Sequence, residues 1–361
     1  MTGLRELFRK KSVPPNAVER WSVIQIEITS RCPLRCSFCP NKTLGKNWWH
    51  GDFPFELFRD QIAPYLARFD LAYLQGWGEP LLHPQIWEMV RAVKTAGCRV
   101  GFTTCASLLD ETNGARLLDE GVDLLSISFA GATRDTHEAL RVGSDYARLT
   151  AHIAQLTARK RATQIELHFL MMRTNIHELP TFVRLAATLG ADQVVATNVT
   201  YAPTPEIEAA HIFAERPDPQ HRAMLAEAER EARRLQIEFR AYPLTPEPNT
   251  LECDAQPTTT VFVNHRGEVA PCVYAGIPVK DCIPRIFQNG DHAFAPVSFG
   301  NVRDGLLPVM QGAARAEFVG AFRARKVSAF SALAAAASGT DEMRLTPAPP
   351  VCRSCYKMFG V

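Results

Sequence analysis

"WSVIQIEITSRCPLRCSFCP", residues 21–40, runs a β-branched stretch (21–29) straight into three cysteines spaced CxxxCxxC. The first nine residues read as a short buried strand, because Val and Ile recur without a helical period. The cysteines then occupy the loop leaving that strand. Two questions follow: what fold begins with such a strand, and what do three thiols in one loop bind?

Outward from this stretch the same rhythm repeats. Strand candidates recur at "LAYLQGW" (71–77), "CRVGFTT" (98–104), "LLSISFA" (124–130), "QIELHFLMM" (164–172) and "DQVVATNV" (192–199). Amphipathic helical stretches lie between them, such as "PQIWEMVRAVKTAG" (84–97), "FELFRDQIAPYLARF" (55–69) and "YARLTAHIAQLTARK" (146–160), with Gly97 and Gly121 placed as helix stops. Six βα units predict an α/β fold, a partial (βα)6 TIM-like barrel over residues 21–245. Right-handed crossovers gather the loops at the strands' carboxyl ends on one face, and the cysteine loop is among them. Residues 1–20 read as an N-terminal extension. Pro-rich connectors at 201–206, 215–219 and 242–250 set a boundary near 245. Residues 246–361 then form a small C-terminal domain, opening with a hairpin in "TTTVFVNHRGEVAPCVY" (258–274) that turns at His265, Arg266 and Gly267. "ALAAAASGTDEMRLTPAPP" (332–350) reads as a surface insertion or loose segment.

Composition narrows the partners. The chain has 361 residues, 46% hydrophobic and 22% charged, enough to bury a sizeable core. Forty Lys and Arg against 38 Asp and Glu leave a net charge of +2, far from the footprint of a dedicated nucleic-acid binder, so no nucleic-acid partner is expected. No signal-peptide h-region and no membrane-length apolar window are present, so the chain reads as cytoplasmic, with no membrane partner. Without a secretory signal, ten cysteines point to metal or redox chemistry rather than disulfides. Seven fall into two groups: Cys32, Cys36 and Cys39, then Cys253, Cys272, Cys352 and Cys355; Cys98, Cys105 and Cys282 are left over.

A structural zinc needs four protein ligands, and the nearest extra candidates to the first group, His50 and Cys98, lie in separate segments. A four-iron cubane can be held by three cysteines, leaving one iron open to a small molecule.

With its loop position and spacing, the stretch resembles the radical S-adenosylmethionine (SAM) superfamily, over most of residues 20–200. The resemblance implies a 4Fe-4S cluster on Cys32, Cys36 and Cys39, whose open iron is chelated by the amino and carboxylate groups of SAM, and cleavage of SAM to a 5′-deoxyadenosyl radical. Phe38 matches the aromatic position placed near adenine; loop packing is the other reading. "GWGEP" (76–80) matches the family's glycine-rich motif after the second strand, with Trp77 standing where relatives carry glycine. Gly76 and Gly78 would let backbone approach a ligand, and Glu79 would accept from the SAM ammonium. Ser126 and Ser128 match positions near the ribose, with Ala130 in place of an acidic residue. His168 and Arg173 fall where they could reach the cofactor, Arg173 suiting its carboxylate, while a satisfied core residue is the plainer reading of His168. "TTCASLL" replaces the family's Thr-Asn-Gly run, so Cys105 sits at the barrel mouth, either as a catalytic hydrogen-atom donor or as a buried small hydrophobe.

The second group resembles the SPASM extension, in the shortened form called twitch. It implies one auxiliary 4Fe-4S cluster on Cys253, Cys272, Cys352 and Cys355, fully ligated by protein, with Cys282 a lesser alternative ligand. A four-cysteine zinc site is the other reading. The pairing implies an oxidoreductase or maturase served by a flavodoxin- or ferredoxin-type electron donor. Its substrate would be a ribosomal peptide or protein side chain, or else a small molecule such as a carbohydrate-like alcohol or cofactor precursor. Only about twenty residues precede the first strand, no room for a leader-peptide reader, which weakens the peptide reading unless the reader is a separate protein. A non-catalytic electron-transfer or zinc-binding protein is the alternative of another class.

Overall fold

A computed structural model describes residues 20–337 and 345–361. The N-terminal extension, except Arg20, and residues 338–344 of the expected loose segment lie outside the described residues. The preceding part of that segment, through Ala337, is not loose but the end of a helix, Ala313–Ala337.

The six expected strands form, with bounds that shift by up to four residues: β1 (Trp21–Ile26), β2 (Phe69–Tyr73), β3 (Arg99–Thr104), β4 (Leu124–Phe129), β5 (Gln164–Met171) and β6 (Gln193–Asn198). They pair in parallel in chain order. The sequence reading missed β7 (Glu238–Ala241), which adds in parallel to β6. It also did not foresee that the C-terminal hairpin joins the same sheet. β8 (Thr260–Val263) pairs in parallel with the free side of β1, matching Val23 to Thr260 and Ile26 to Val263. β9 (Glu268–Ala270) returns antiparallel on β8. The resulting order, with β12 (Gly300–Asn301) outermost, is β12-β9-β8-β1-β2-β3-β4-β5-β6-β7. Its two ends do not pair, so the barrel is open. β10 (Ile283–Phe287) and β11 (Gly290–Phe294) form a separate hairpin.

The helices follow from local chemistry. Asp110, Thr133 and Asp145 each accept a backbone N–H in the first turn of the helix they cap. Gly97 and Gly121 lie at φ +73° and +70°, the left-handed conformation that ends a helix cheaply only at glycine. Residues 55–69 were expected as one helix, but 55–68 break into short turns, Pro64 removing a donor from the last of them, and Phe69 already opens β2. Phe129, Phe169 and Phe182 close the core between sheet and helix, with ring centroids 4.9–5.0 Å apart. Truncating Phe182, which is fully buried, to Ala should cost about 3–5 kcal/mol. Among the described residues no helix is long and apolar enough to cross a membrane.

Candidate active site

The regular part of β1 ends at Ile26 because the next residues turn to make side-chain contacts. Glu27, fully buried, accepts from Trp77 N at 3.0 Å and from His265 Nδ1 at 3.0 Å. The cysteine loop that follows is tied down by Arg35 N donating to Val142 O (2.9 Å) and Ser37 N to Leu140 O (3.1 Å), just past the helix Arg134–Leu140. Cys32, Cys36 and Cys39 pack in one small cluster with Leu34, Phe38 and Cys105. Burial pushes the Cys36 thiol up and the Cys39 thiol to about 12, the latter helped by Cys36 itself. These thiols stay protonated until metal takes them as thiolates.

Cys105 is at the mouth of β3, but it borders the cysteine cluster rather than the cavity described below. The neighbouring Cys32 thiol and burial hold its own thiol well above the usual range, and its Sγ lies 3.2 Å from Ser107 Oγ.

The glycine-rich stretch is in place, with a different use of its residues. A Cβ on Gly76 would lie 2.4 Å from the Glu27 side chain, and one on Gly78 would lie 2.2 Å from Thr29 O. The close approach of the β1 exit is by itself enough to require glycine at both positions. Glu79, 1% exposed, spends both oxygens on protein donors: Oε1 takes Thr104 Oγ1 (2.6 Å) and Leu81 N (3.2 Å), and Oε2 takes Cys105 N (2.7 Å). That corrects the expectation of a carboxylate waiting for an ammonium group. Burial holds its pKa well above the usual carboxylate range.

A cavity of about 270 Å³ opens beside the cysteine loop, and Phe38, Cys39, Trp77, Ser128 and His168 all border it. Ser126 does not. It is 1% exposed and sits deeper in the barrel, accepting from Tyr73 Oη (3.0 Å) and donating to Glu166 (3.3 Å), whose Oε2 lies 3.1 Å from His168 Nε2. Arg173 is also absent from this cavity and lines a separate outer cleft with Glu208 and His211.

The arginine that borders this cavity is Arg141 rather than the expected Arg173. Its guanidinium carbon lies 5.6 Å from the Phe38 ring centroid, and the side chain borders the cavity. The residue is 9% exposed, and its Nε has no hydrogen-bond partner among the described residues. A guanidinium that stands beside Cys36 and borders a cavity is suited to an anionic ligand group. Larger clefts exist, for example about 380 Å³ between the helices Glu111–Asp119 and Tyr146–Arg159, but none of the cysteines lines that one.

The second group also assembles. Cys253, Cys272, Cys352 and Cys355 lie close enough that burial first, and the neighbouring thiols next, raise Cys272 to about 11 and push Cys253 and Cys352 higher still. Arg285, 2% exposed, pins the CxxC turn by donating to Val351 O (2.9 Å) and Ser354 O (3.3 Å). Cys282 is exposed and stands apart from the four. Among the described residues no three His, Cys, Asp or Glu side chains converge on a point suited to one metal ion.

Glu27, Arg141, Arg285 and His265 escaped the sequence reading as site residues. No local spacing marks them. The one available signal was a charge inside an apolar strand, Glu27 in "VIQIEIT".

Comparison with known proteins adds to this geometry. Residues 26–186 match the model of the Radical SAM superfamily, and residues 253–356 match SPASM, an iron-sulfur cluster-binding domain. A tungsten-containing aldehyde ferredoxin oxidoreductase cofactor-modifying protein of Pyrococcus furiosus is 29% identical over 187 residues, 49% of this chain and 51% of the relative. A PqqA peptide cyclase of Rhodopseudomonas palustris is 29% identical over 193 residues, 49% of this chain and 47% of the relative. The chain thus matches about half the length of these curated relatives. Among solved structures, anSMEcpe with bound AdoMet superposes with a TM-score of 0.59 at 15% identity, covering 82% of each chain, a likeness of fold.

Proposed function

Since the chain belongs to the radical SAM superfamily and carries a SPASM domain, we propose that it binds SAM at a 4Fe-4S cluster on Cys32, Cys36 and Cys39 and oxidises, or forms a bond on, a ribosomal peptide or protein side chain. The carrying observation is the shared cavity: Cys39 and the Arg141 side chain border the same space. When bound, the pair supplies one-electron cleavage of the sulfonium to methionine and a 5′-deoxyadenosyl radical, which removes a hydrogen atom from substrate carbon.

The protein's part is positioning. Arg141 orients the SAM carboxylate, Phe38 packs beside the adenine, and Ser128 and His168 face the ribose side of the cavity. Gly76, Gly78 and Glu79 fix the shape of the wall from behind, and Ser126 supports it through Tyr73 and Glu166. Cys253, Cys272, Cys352 and Cys355 hold the auxiliary cluster, which has no open iron and passes electrons. A flavodoxin or ferredoxin supplies the reducing electron. Domain limits of 21–245 and 246–361 are a division by cluster, since β8 continues the barrel sheet.

The peptide reading is supported by the likeness to PqqA peptide cyclases. The Pyrococcus furiosus relative favours a second reading, a cofactor precursor as substrate. Anaerobic reconstitution followed by 5′-deoxyadenosine detection tests the class. Deuterium transfer from labelled peptide or small-molecule candidates into deoxyadenosine separates the two substrates, and no deoxyadenosine under strong reductant would overturn the enzyme reading.

A further inference from the structure

Trp77 stands where the two cysteine-bearing halves of the molecule meet. Its carbonyl accepts from Asn41 Nδ2 (3.4 Å), and the same amide group donates to Ser30 O (2.7 Å), so segments on both sides of the three-cysteine loop are pinned to residue 77. Its backbone N–H donates to Glu27 Oε1 (3.0 Å). Its indole N–H donates to Val273 O (3.1 Å), the residue after Cys272. The ring lies edge-on to Tyr274, with centroids 5.5 Å apart at 81°, and borders the same cavity as Cys39.

Filling the four-cysteine site draws its ligands together, because binding free energy of the metal is spent on ordering the segments that carry them. Any shift of Cys272 moves Val273 O, and the indole is bonded to that oxygen. We propose that Trp77 is a positioning residue coupling the two sites, so that SAM binds more tightly at the first cluster when the auxiliary site is filled. This rests on the SAM-binding reading above. Glycine at this position would keep the backbone bonds to Asn41 and Glu27 and lose the link to Val273.

The test is a double-mutant cycle on the reconstituted protein, crossing Trp77→Phe with the pair Cys352→Ala and Cys355→Ala. Phe keeps a ring in the wall and removes the N–H donor. Two readouts are taken: SAM affinity by equilibrium dialysis, and the SAM-induced change in the EPR spectrum of the reduced first cluster. Losing the auxiliary cluster should weaken SAM binding about tenfold with Trp77 present, and by less than about twofold in the W77F background. The same factor in both backgrounds, or no effect with Trp77 present, overturns the coupling. If the cysteine variant does not fold, W77F with its full iron content should still bind SAM about fivefold more weakly, with an altered EPR response; unchanged values overturn the proposal. A wild type that binds no SAM would overturn the underlying reading, whereas normal binding with additive effects removes the coupling alone.

Discussion

Cys32, Cys36 and Cys39 come from one loop, tied by backbone hydrogen bonds to Leu140 and Val142, whereas Cys253, Cys272, Cys352 and Cys355 come from three segments that only the finished fold brings together. The first group borders a cavity that the Arg141 side chain also lines. The second is braced by a guanidinium whose Nη1 donates to Val351 and Ser354. One arginine borders a cavity and the other holds a turn. That contrast fits the proposal of an open first centre and a closed second one.

The largest effect expected from breaking the contrast follows replacement of Cys32, Cys36 and Cys39 together by Ala. SAM cleavage should fall below detection while about four of roughly eight irons remain, as counted by iron and sulfide analysis. Loss of all the iron would show that the second site does not stand alone. Next comes Gly78→Ala. Its added methyl meets the backbone oxygen of Thr29, which has no flexible end to give way, so denaturant unfolding of the metal-free protein should lose about 2–4 kcal/mol.

Arg141→Ala should weaken SAM binding about tenfold, or about 1.4 kcal/mol, by equilibrium dialysis. Arg285→Ala, with the auxiliary cluster still bound, should change SAM affinity by less than about twofold; equal losses for the two arginines would erase the contrast between them. The smallest effect is on pH dependence. Burial, then Arg141, pushes the His137 imidazole down to about 3. A depressed histidine favours its neutral form in the fold, so its contribution is present above the unfolded value near 6.5 and is lost as pH falls toward 3. Between pH 7.5 and 6 the loss should be about 1 kcal/mol, and His137→Phe should flatten that slope in urea titrations.

The strand rhythm and both cysteine groups were legible because each is written in spacing, either period or ligand interval. β7 was not. "EFRA" alternates polar and apolar residues but over only four positions, none of them fully buried, and pairing with β6 makes it a strand. Arg141 was passed over, and Arg173 was expected beside the cofactor, for a related reason. Both follow helices or strands on the mouth side, and only the backbone bonds from Arg35 to Val142 and Ser37 to Leu140 bring the first beside the cysteines. The protein partners of Glu79 were not legible either, since which donors surround a carboxylate depends on the turn at Thr104 and Cys105.

The pairing of β8 with β1 carries a consequence for the order in which the chain can acquire its structure. Val23 must meet Thr260, so one edge of the first strand stays unpaired during synthesis until most of the chain has emerged. Such long-range parallel closure is slow, and an uncovered edge is a template for wrong partners. A nascent chain stopped before residue 260 is therefore expected to be the aggregation-prone species, with the late C-terminal strand acting as the cover that ends the hazard.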